Sequence, residues 1–593
     1  MPAQMPDNDG LREQKEAANQ TEKAVTIETA ATCELLVDGK TVRYEISEVD
    51  LRQRVDDHHV LRVKLLDIGQ TEQGRDILQD LPHTGFLGKT LSITLSPSVA
   101  GDGSGKLEFV GIVTEVSFEN RVDGLNVTTI TAHSPTIGMD GAKRNMFYFD
   151  QSSSDVIKKV LSEHSITQGQ IESTSGMSAY CVQYRETDYD FVMRLATGAG
   201  LFAYYNGKEF HAGKASSSGS VTVIWRETLG AFTIGLGTAQ PEFNAQVYNY
   251  VQASNYAQDT KSVPPKASLS QLSKLSPDAS KKVYKMSGFA GEAKVVADAR
   301  SLDDEVQRAR SRSMSSMINC VGQSIEPTVG IGHCVKVEQM GALNNQYWVM
   351  SVRHVMSQSG MYHNEFTCVP LDIAFPASRS RLEPATQIQS AIVTDNNDPD
   401  ALGRLKVKFP WLESDETTWL RVSVPHAGDE RGWFSMPEVG DEVLVGFEQG
   451  DPDHPVVLGS VYNSKAKPPG DAINSDNDVK LFRTRGGSQI MIDDKSGSEK
   501  LTITTKDGKN SIVLDVSGQK IAIESEGDIS LKGKNLSLES DMEIKIKAGT
   551  NLKIEAGANL ETKATAQYKG EGAMMSLQGQ SMVEVKGAMI KLN

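Results

Sequence analysis

A glycine-rich run in the first quarter of the chain has residue types from which a phosphate site could be built. Residues 101–106 (GDGSGK) resemble a phosphate-binding loop, in which backbone N–H groups and a lysine hold phosphate oxygens. The first glycine is out of place for that motif, and Leu107 stands where a Ser or Thr would bind magnesium. The run is therefore interpreted as a surface turn between two strands.

Histidines and cysteines between 333 and 368 are the second candidate group, because imidazole and thiolate are the ligands that zinc prefers. They fall on predicted strands with alternating side chains, so they are interpreted as core or hydrogen-bonded positions. No CxxC pair occurs, and no HxH pair lies near the C-terminus, so the sequence predicts neither a metal site nor a cofactor. These residues are His333, Cys334, His354, His363 and Cys368.

Acidic pairs are the third candidate group, because glycoside cleavage needs two carboxylates about 5–10 Å apart in a cleft. Asp441-Glu442 and Asp451-Pro452-Asp453 have suitable side chains. Turn and strand-end positions explain them better, and the HExxH and GxSxG motifs are absent. The sequence therefore predicts no catalytic residues.

Length and composition favour a protein of several domains that does not act on nucleic acid. The 593 residues suggest three or four domains, and the net charge of −16 argues against a nucleic-acid partner. The five cysteines are widely spaced, which indicates reduced thiols and folding in the bacterial cytoplasm. The polar start MPAQMPDNDGLREQ is not a signal peptide, and no apolar run approaches the roughly 18 residues of a membrane span.

Strands with a few helices are predicted over residues 24–375, after a flexible or partner-ordered arm at 1–23 and before a linker at 376–389. A hairpin with a tight Asp38-Gly39 turn begins the ordered part, and Ser154 is the predicted N-cap of the first helix. The further predictions are strands over 60–67, 90–95, 107–118, 125–132, 331–338 and 346–355, helices over 152–164, 188–199 and 293–317, and a long loop over 258–282.

The segment 390–463 is predicted to be a small all-β barrel, followed by a neck at 464–509. Five strands separated by Gly, Pro and Asp turns fit a Greek-key barrel of the oligonucleotide/oligosaccharide-binding (OB) type. The exposed aromatic and basic groove that single-strand binding needs is not evident. Trp411, Trp419 and Trp433 are therefore interpreted as core or trimer contacts.

The remaining residues repeat with a period of eight, which is typical of a repeat architecture. From Ile529 the octads read ISLKGKNL, SLESDMEI, KIKAGTNL, KIEAGANL, ETKATAQY, KGEGAMMS, LQGQSMVE and VKGAMIKL. Apolar and polar residues alternate, so each octad is predicted to be a short strand with one buried face. The predicted core positions are Ile544, Ile546, Leu552, Ile554 and Leu560.

One copy of this repeat cannot fold alone. Its few inward residues do not offset backbone entropy of about 1–2 kcal/mol per residue, and its strand edges stay open. Three chains wound about one axis bring their apolar rows together and pair every strand. The sequence therefore predicts an obligate trimeric β-prism over 510–593. A single-chain β-solenoid is the alternative, but its rungs usually need about 20 or more residues.

The barrel and its flanks resemble a known family. The stretches TDNNDPDALGRLKVKFPW, WLRVSVP and MPEVGDEVLVGFEQGDPDHPVVLGSVYN resemble the OB barrel shared by VgrG proteins of type VI secretion and the spikes of contractile phage tails. Residues 107–114, 134–136 and 183–205 resemble the family's hub, and 481–505 resemble the entry into its needle. The matching barrel positions are Asp398, Gly403, Arg404, Phe409, Pro410, Trp411, Trp419, Arg421, Pro437, Gly440, Asp441, Glu442, Val443, Phe447, Gly450, Asp451, Pro452 and Gly459.

This resemblance implies a mainly-β fold class with a few helices. It implies two hub-like β-barrels with helical insertions, an OB-fold barrel, and a C-terminal triple-stranded β-helix that forms a needle. A homotrimer of such hubs offers a six-fold-like ring on which a hexameric inner tube protein can sit, with baseplate proteins around it. The implied function is structural: a VgrG-like central spike that adapts the six-fold tube to a three-fold needle and punctures a target membrane.

Two other functions are weighed against the spike. An enzymatic tail spike that degrades envelope polysaccharide would carry a domain between barrel and needle, but residues 464–500 are too few for one, and the chain stops after the repeat. A free-standing trimeric adhesin is disfavoured by the OB resemblance. The sequence therefore predicts a non-enzymatic spike.

Toward Asn593 the octad pattern weakens, because Thr562, Gly570 and Gln578 stand where earlier octads have isoleucine. Apolar ends and open edges are usually covered. The family resemblance supplies a small PAAR-like tip protein as the cover, and possibly effectors as cargo. The predicted platform for the tip protein is Val583, Val585, Met589, Ile590 and Leu592.

Overall fold

The computed structural model has two compact units, Met1–Lys467 and Pro468–Asn593. The described residues contain 33 strands and four α-helices, which confirms the mainly-β fold class. Several predictions lie outside them: the N-terminal arm, residues 101–104 of the glycine-rich run, residues 378–385 of the linker, and Leu592. The described residues are 27–42, 44–67, 84–97, 105–120, 122, 126–174, 178–263, 269–290, 299–377, 386–412 and 416–591.

Twenty-one strands precede residue 375. They are β1 Thr29–Val37, β2 Lys40–Thr41, β3 Glu45–Arg54, β4 Val60–Asp67, β5 Thr90–Pro97, β6 Leu107–Asn120, β7 Asn126–His133, β8 Lys143–Gln151, β9 Gln168–Ile171, β10 Ser178–Thr187, β11 Phe202–Tyr205, β12 Phe210–Gly213, β13 Val221–Ile224, β14 Leu229–Leu236, β15 Phe243–Asn249, β16 Ser254–Asp259, β17 Gly288–Phe289, β18 Ile318–Ser324, β19 Cys334–Glu338, β20 Gln346–Met356 and β21 Met361–Pro370. Among them the predicted first hairpin is confirmed, with Asp38 and Gly39 at positive φ in its turn.

Eight of these strands close into a barrel in the order β20-β3-β4-β7-β6-β5-β1-β21, because β20 and β21 also pair with each other. Alternate side chains point inward, and Leu35, Leu61 and Phe109 are fully buried in its core. A second run of strands, β13-β19-β20-β21-β18-β14, reuses the same two central strands and curves around a separate core at Trp348 and Phe366. Strand pairing thus closes one barrel, and the same sheet surrounds a second core.

Helices lie between the strands of this region, and their positions mostly agree with the predicted ranges. The helix predicted over 188–199 is α2, and its cap, Thr187, accepts from the Asp190 N–H. The predicted N-cap of α1 was wrong by two residues: Ser152 Oγ accepts from the Asp155 N–H at 3.2 Å, and Ser154 lies inside the helix. The α-helices are α1 Ser153–Glu163, α2 Asp188–Gly198, α3 Gln271–Val283 and α4 Ala299–Met317.

The predicted long loop over 258–282 was wrong, because α3 occupies its second half. Serines, which signal loops in isolation, here form the buried face of the helix: Ser273, Ser276 and Ser280 are buried. The start of α3 is fixed from far along the chain, since the Asp372 carboxylate accepts from both the Ser270 N–H and the Ser273 hydroxyl at 2.6 Å. Tertiary contacts therefore override the local loop signal.

The segment after the linker forms a five-stranded barrel with a small hairpin. The sheet order is β23-β22-β27-β28-β24, and hydrogen bonds between Leu405 and Leu420 join its two edges. Buried Val393, Val407 and Val443 fill the interior. The strands are β22 Gln389–Asp395, β23 Lys406–Lys408, β24 Arg421–Val422, β25 Ala427–Gly428, β26 Arg431–Gly432, β27 Glu442–Phe447 and β28 Pro455–Ser460.

The second unit begins with an antiparallel meander whose strands pair in chain order. This sheet joins the predicted neck to the first residues of the predicted prism. After Ser525 the described chain has no further strand, and its backbone instead bends at short, regular intervals up to residue 588. The five strands are β29 Val479–Arg483, β30 Gln489–Asp493, β31 Lys500–Thr504, β32 Asn510–Asp515 and β33 Lys520–Ser525.

Two histidines, His59 and His354, are fully buried in the first unit. His59 Nδ1 lies 3.1 Å from Gln53 Nε2, and His354 Nδ1 lies 2.7 Å from the Tyr362 hydroxyl. Loss of solvation lowers the pKa of each imidazole to about 3, and each also faces a second histidine. Both rings are therefore neutral in the folded protein.

Acid should destabilise this unit below pH 6.5. Below that pH both histidines are protonated in the unfolded chain but not in the folded chain. The free energy of unfolding therefore falls by up to about 1.4 kcal/mol per histidine for each pH unit, down to about pH 3. Urea unfolding of full-length protein at pH 7.5, 6.0 and 5.0 measures this slope. His354→Gln should have a shallower slope than wild type, and His426→Gln, at an exposed position, should match wild type. Equal slopes for all three proteins would contradict the assignment.

Candidate functional site

The OB-type barrel packs against strands β8 and β10 of the same unit through one apolar cluster. Phe147 of β8 stacks on Trp411 with ring centroids 5.2 Å apart and planes 6° apart. Trp411 in turn stacks on Phe409 at 5.2 Å, and its indole N–H donates to Gln389 Oε1 at 2.8 Å. Trp411 is thus a junction residue, in line with its interpretation as a core contact.

A charged turn fixes the loop between β22 and β23. The Asp398 carboxylate, 4% exposed, accepts from the backbone N–H groups of Asp400, Leu402 and Arg404. The Arg404 guanidinium donates to the same carboxylate at 2.6 and 3.0 Å, which holds the pKa of Asp398 well below its usual range. Gly403, at φ +70°, gives the turn a backbone conformation that other residues rarely adopt.

Tyr250, which precedes α3 in the first region, contacts two arginines of the barrel. The Arg421 guanidinium lies 4.3 Å from the centroid of its ring, and its other partner is Glu448 at 2.6 Å. The Arg404 guanidinium also donates a hydrogen bond to the Tyr250 hydroxyl. No local sequence pattern predicts this contact, because Tyr250 lies more than 150 residues from either arginine.

The acidic pairs are held in turns and do not face each other across a cleft. Asp441 Oδ2 accepts from the Glu438 N–H at 2.8 Å, and Glu442 accepts from Asn463 Nδ2 at 2.8 Å. Asp451 accepts from the Asp453 N–H at 3.0 Å and lies 3.0 Å from His454 Nδ1. Each of these carboxylates stabilises a local turn or strand end.

Asp453 does more than close its own turn, because its carboxylate accepts from the Val182 N–H of β10 at 2.6 Å. The Val182 carbonyl accepts from Arg194, whose guanidinium also pairs with Glu186 at 2.8 Å. Sequence reasoning assigned Asp453 to a turn or strand end of the barrel and did not find this link. The barrel is therefore tied to the hub-like region by hydrogen bonds as well as by stacked rings.

The other motif positions shape the barrel surface. Gly440 and Gly450 have positive φ in turns, and Trp419 lies under the Lys406 ammonium, 5.3 Å from its ring centroid. Trp433, on the exposed segment after β26, is 53% exposed and so is not a core residue of one chain. Of the three motif prolines, Pro410 is exposed, Pro437 is half-buried and Pro452 is buried.

The histidine and cysteine candidates do not converge on one point. His354 and both cysteines, Cys334 and Cys368, are buried, while His333 Nδ1 lies 2.9 Å from the Thr328 carbonyl and His363 faces Glu28 at 3.6 Å. Within the described ranges, no group of three or more His, Cys, Asp or Glu side chains has metal-binding geometry.

A cleft of about 810 Å³ lies beside α4 and is lined largely by apolar side chains, among them Phe243, Phe289 and Met350. Glu305 is its one lining carboxylate among the described residues, and it pairs with Arg308 at 2.7 Å. General acid–base cleavage of a glycoside needs a second carboxylate nearby. The lining of this cleft therefore does not support that chemistry.

The meander of the second unit has one apolar face that is left uncovered by the described residues of that unit. Phe482, Ile490, Ile503, Ile512 and Ile523 are successive cross-strand partners, so they form one row across all five strands. A parallel row is Ile492, Leu501, Leu514 and Ile521. No residue from 468 to 591 is buried, and all of these are described.

Beyond the meander, backbone bends mark out a row of apolar pairs. The bends fall at 526–527, 534, 541–542, 549–550, 557–558, 565–566, 573, 580–581 and 588. The first residue of each pair stands two residues after a bend, and the second two residues later. The pairs include the predicted core positions and are Ile529/Leu531, Leu536/Leu538, Ile544/Ile546, Leu552/Ile554, Leu560/Thr562, Tyr568/Gly570, Met575/Leu577 and Val583/Val585, and Ile590 is the first residue of the next pair.

The spacing of the backbone bends corrects one prediction about the end of the repeat. Between the bends at 565–566 and 573 the spacing shortens by one residue, so Leu577, and not Gln578, takes the second position of its pair. The pattern weakens only at Thr562 and Gly570 and then resumes. Val583, Val585 and Ile590, which were assigned to a tip platform, fall in the same rows as the core positions.

Two family models match this chain in the predicted order. A model of the phage tail baseplate hub matches residues 75–360, and a model of the type VI secretion system/phage-baseplate injector OB domain matches residues 389–462. In the part of the chain that the structure describes, none of the helices has the length and apolarity needed to cross a bilayer.

Relatives and a solved structure agree with these matches. The type VI secretion system spike protein VgrG1a of Pseudomonas aeruginosa is 24% identical over 492 residues, which cover 73% of this chain and 72% of the relative. VgrG1b of the same organism is 24% identical over 463 residues, 72% of this chain and 61% of the relative. A Francisella PdpA-VgrG complex contains a chain with the same fold, at a TM-score of 0.53 and 10% identity, covering 88% of this chain and 84% of that one.

Replacing Asp398 with Asn should destabilise the barrel by about 2 kcal/mol, because its charge-assisted hydrogen bonds to Arg404 and to three backbone N–H groups weaken. Urea unfolding of the full-length protein measures the loss. Asp400→Asn is the matched control: this carboxylate pairs with the same guanidinium but is 67% exposed, so the change should cost less than about 0.5 kcal/mol. Equal costs would show that the buried turn does not stabilise the barrel.

Proposed function

We propose that this protein is the homotrimeric central spike of a contractile injection machine, because the chain belongs to the VgrG-like family of contractile-tail spike proteins. Its function is mechanical. The hub-like barrels carry the inner tube, the OB-type barrel supports the needle, and sheath contraction drives the whole spike through a target membrane. The protein folds in the cytoplasm and leaves the cell as part of this particle.

The observation that carries the proposal is the absence of any buried residue from 468 to 591, a range that is fully described. Its apolar rows are nonetheless regular: one full face of the meander, and then a pair after every bend. An alternating strand exposes these rows to water unless other chains cover them, and covering them gains about 25 cal/mol per Å². Two further copies of the chain supply matching rows in the same register.

The hub-like region is suited to connect a six-fold tube to a three-fold needle. Each chain has a closed barrel and a second core within the same sheet, so a trimer presents six such parts. Six of them in a ring match a hexameric inner tube protein, and baseplate proteins are the expected neighbours around that ring. The stacked rings and the Asp453 link fix the OB-type barrel to β8 and β10 of the hub-like region, so force can pass from one to the other.

We further propose that the spike itself is not an enzyme. The two carboxylate pairs singled out in the sequence stabilise turns, and the cleft beside α4 has one carboxylate, already in an ion pair. The described residues offer no catalytic site for the alternative function, which is polysaccharide degradation by a tail spike. A PAAR-like tip protein and effectors are the proteins that we propose the needle carries.

Leu552→Asp should prevent trimerisation, because three-fold symmetry brings three carboxylates together in an apolar row at a cost of several kcal/mol each. Lys553→Asp changes the neighbouring residue, which is 77% exposed and falls on the outward face of the proposed prism. It should remain trimeric. Light scattering of the full-length variants distinguishes one chain of 64.5 kDa from three. Equal tolerance of both substitutions would show that the register is wrong.

If the tip protein sits on Val583, Val585, Met589, Ile590 and Leu592, truncation after Gln580 should abolish its co-purification with the spike. The truncated spike should still trimerise, because the earlier apolar pairs remain. A co-expressed PAAR-like protein is the probe, and pull-down on the spike is the measurement. Equal retention by full-length and truncated spikes would reject this platform.

A further inference from the structure

A row of buried polar side chains lies at the boundary between the two cores of the hub-like region. On β20, His354 stands between Met356, which packs in the core of the closed barrel, and Val352, which packs in the second core. Asn364 of β21 is the direct cross-strand partner of His354, and Gln53 of β3 is the partner of Val352. Gln53, His354 and Asn364 are at most 1% exposed and are here called the polar row.

Hydrogen bonds fix the direction of the Asn364 amide and the tautomer of His354. The Asn364 Nδ2 group donates to the Glu326 carbonyl at 2.7 Å and to the Tyr362 hydroxyl at 3.0 Å. A carbonyl oxygen can only accept, so the amide cannot be turned the other way. The Tyr362 hydroxyl lies 2.7 Å from His354 Nδ1 and donates its own hydrogen there. The neutral His354 ring therefore carries its proton on Nε2.

The Gln53 amide is fixed by its neighbour His59. His59 Nε2 lies 3.3 Å from the Arg54 carbonyl, which can only accept, so this neutral ring carries its proton on Nε2. His59 Nδ1 is then an acceptor, and Gln53 Nε2, which lies 3.1 Å away, donates to it. The Gln53 side chain is thereby oriented with Nε2 toward His59, and its Oε1 is left to accept from another group.

Three buried atoms of the polar row have hydrogen-bonding capacity that no described residue uses. They are Gln53 Oε1, His354 Nε2 and Asn364 Oδ1, and none has a hydrogen-bond partner among the described residues. Buried polar atoms of folded proteins are almost always hydrogen-bonded, either to the protein or to ordered water. The orientations of the three side chains make Nε2 a donor and the two oxygens acceptors.

The strand register brings these three side chains together. His354 and Asn364 are directly opposite, which places their Cβ atoms about 4.5–5.5 Å apart, and the Tyr362 hydroxyl holds the ring and the amide side by side. Gln53 is the diagonal neighbour of His354 on β3, about 7–8 Å away and on the same face of the sheet. The long Gln53 side chain spans that separation, so one small molecule can touch all three atoms.

We infer that the polar row binds one internal water molecule, which accepts from His354 Nε2 and donates to Gln53 Oε1 and Asn364 Oδ1. Water matches this set of atoms because it can donate two hydrogen bonds and accept from the third group. A cation would face the N–H group of His354, and an anion would face the two oxygens. The water links β3, β20 and β21 where the two cores meet. This site belongs to the first unit and does not depend on the proposed spike function.

A crystal or cryo-electron microscopy structure of the full-length protein, at a resolution that shows ordered water, tests the site directly. One isolated peak of density should lie about 2.7–3.2 Å from each of the three atoms. A map in which the three side chains are ordered and no such peak lies between them overturns the inference. A peak about 2.0–2.6 Å from the two oxygens would be a metal ion and would overturn it as well.

A double-mutant cycle is the second test, because no hydrogen bond joins Gln53 to Asn364 directly. Gln53→Met and Asn364→Leu each remove one acceptor for the water. In urea unfolding of the full-length protein, the double variant should raise the unfolding equilibrium constant at least about fivefold less than the product of the two single effects.

The control cycle combines Asn364→Leu with Thr417→Val, which lies in the OB-type barrel, where Thr417 Oγ1 accepts from the Val407 N–H. This pair should give the product of its single effects within about twofold. If the cycle of Gln53 and Asn364 also gives the product, nothing couples the two side chains and the inference is overturned. If a variant does not fold, the density of the wild-type protein decides alone.

Discussion

The constraint on which this structure depends is that an alternating strand with one apolar face must be covered, and none of the described residues of the second unit is buried. Its meander presents rows of Phe, Ile and Leu, and the chain after Ser525 presents a pair of apolar residues after nearly every bend. The first unit is the opposite case, with separate buried cores in each of its barrels. The first unit buries its own cores, whereas the smaller second unit, as proposed above, requires further copies of the chain.

This asymmetry explains how a spike can be both stiff and assembled from ordinary folded parts. The hub-like and OB-type barrels need only contacts within the chain, namely the shared β20–β21 pair, the Phe147–Trp411 stack and the Asp453–Val182 hydrogen bond. In the proposed trimer the needle becomes ordered only when three chains meet, so its stability comes with assembly.

The parts of the fold that could be predicted are those set by residues close together in the sequence. The strands of the OB-type barrel were found because Gly, Pro and Asp turns bound them, and β27 has the predicted limits. Helix α3 was missed because its serines signal a loop until Asp372, about 100 residues away, caps it. The contacts of Tyr250 with Arg421 and Arg404 were missed for the same reason: no local pattern encodes a contact over such a separation. Gln578 was placed in the isoleucine row because a fixed period of eight hides the shorter spacing between the bends at 565–566 and 573.

Hydrogen–deuterium exchange of residues 527–591 in the intact protein tests the central claim most directly. In a three-chain prism every strand is paired by its neighbours, so these amides should exchange slower than the free chain by about 10³-fold or more. The meander amides should be protected to a similar degree. Exchange at the rate of an unstructured peptide across 527–591, in a protein whose first unit is folded and protected, would contradict the account.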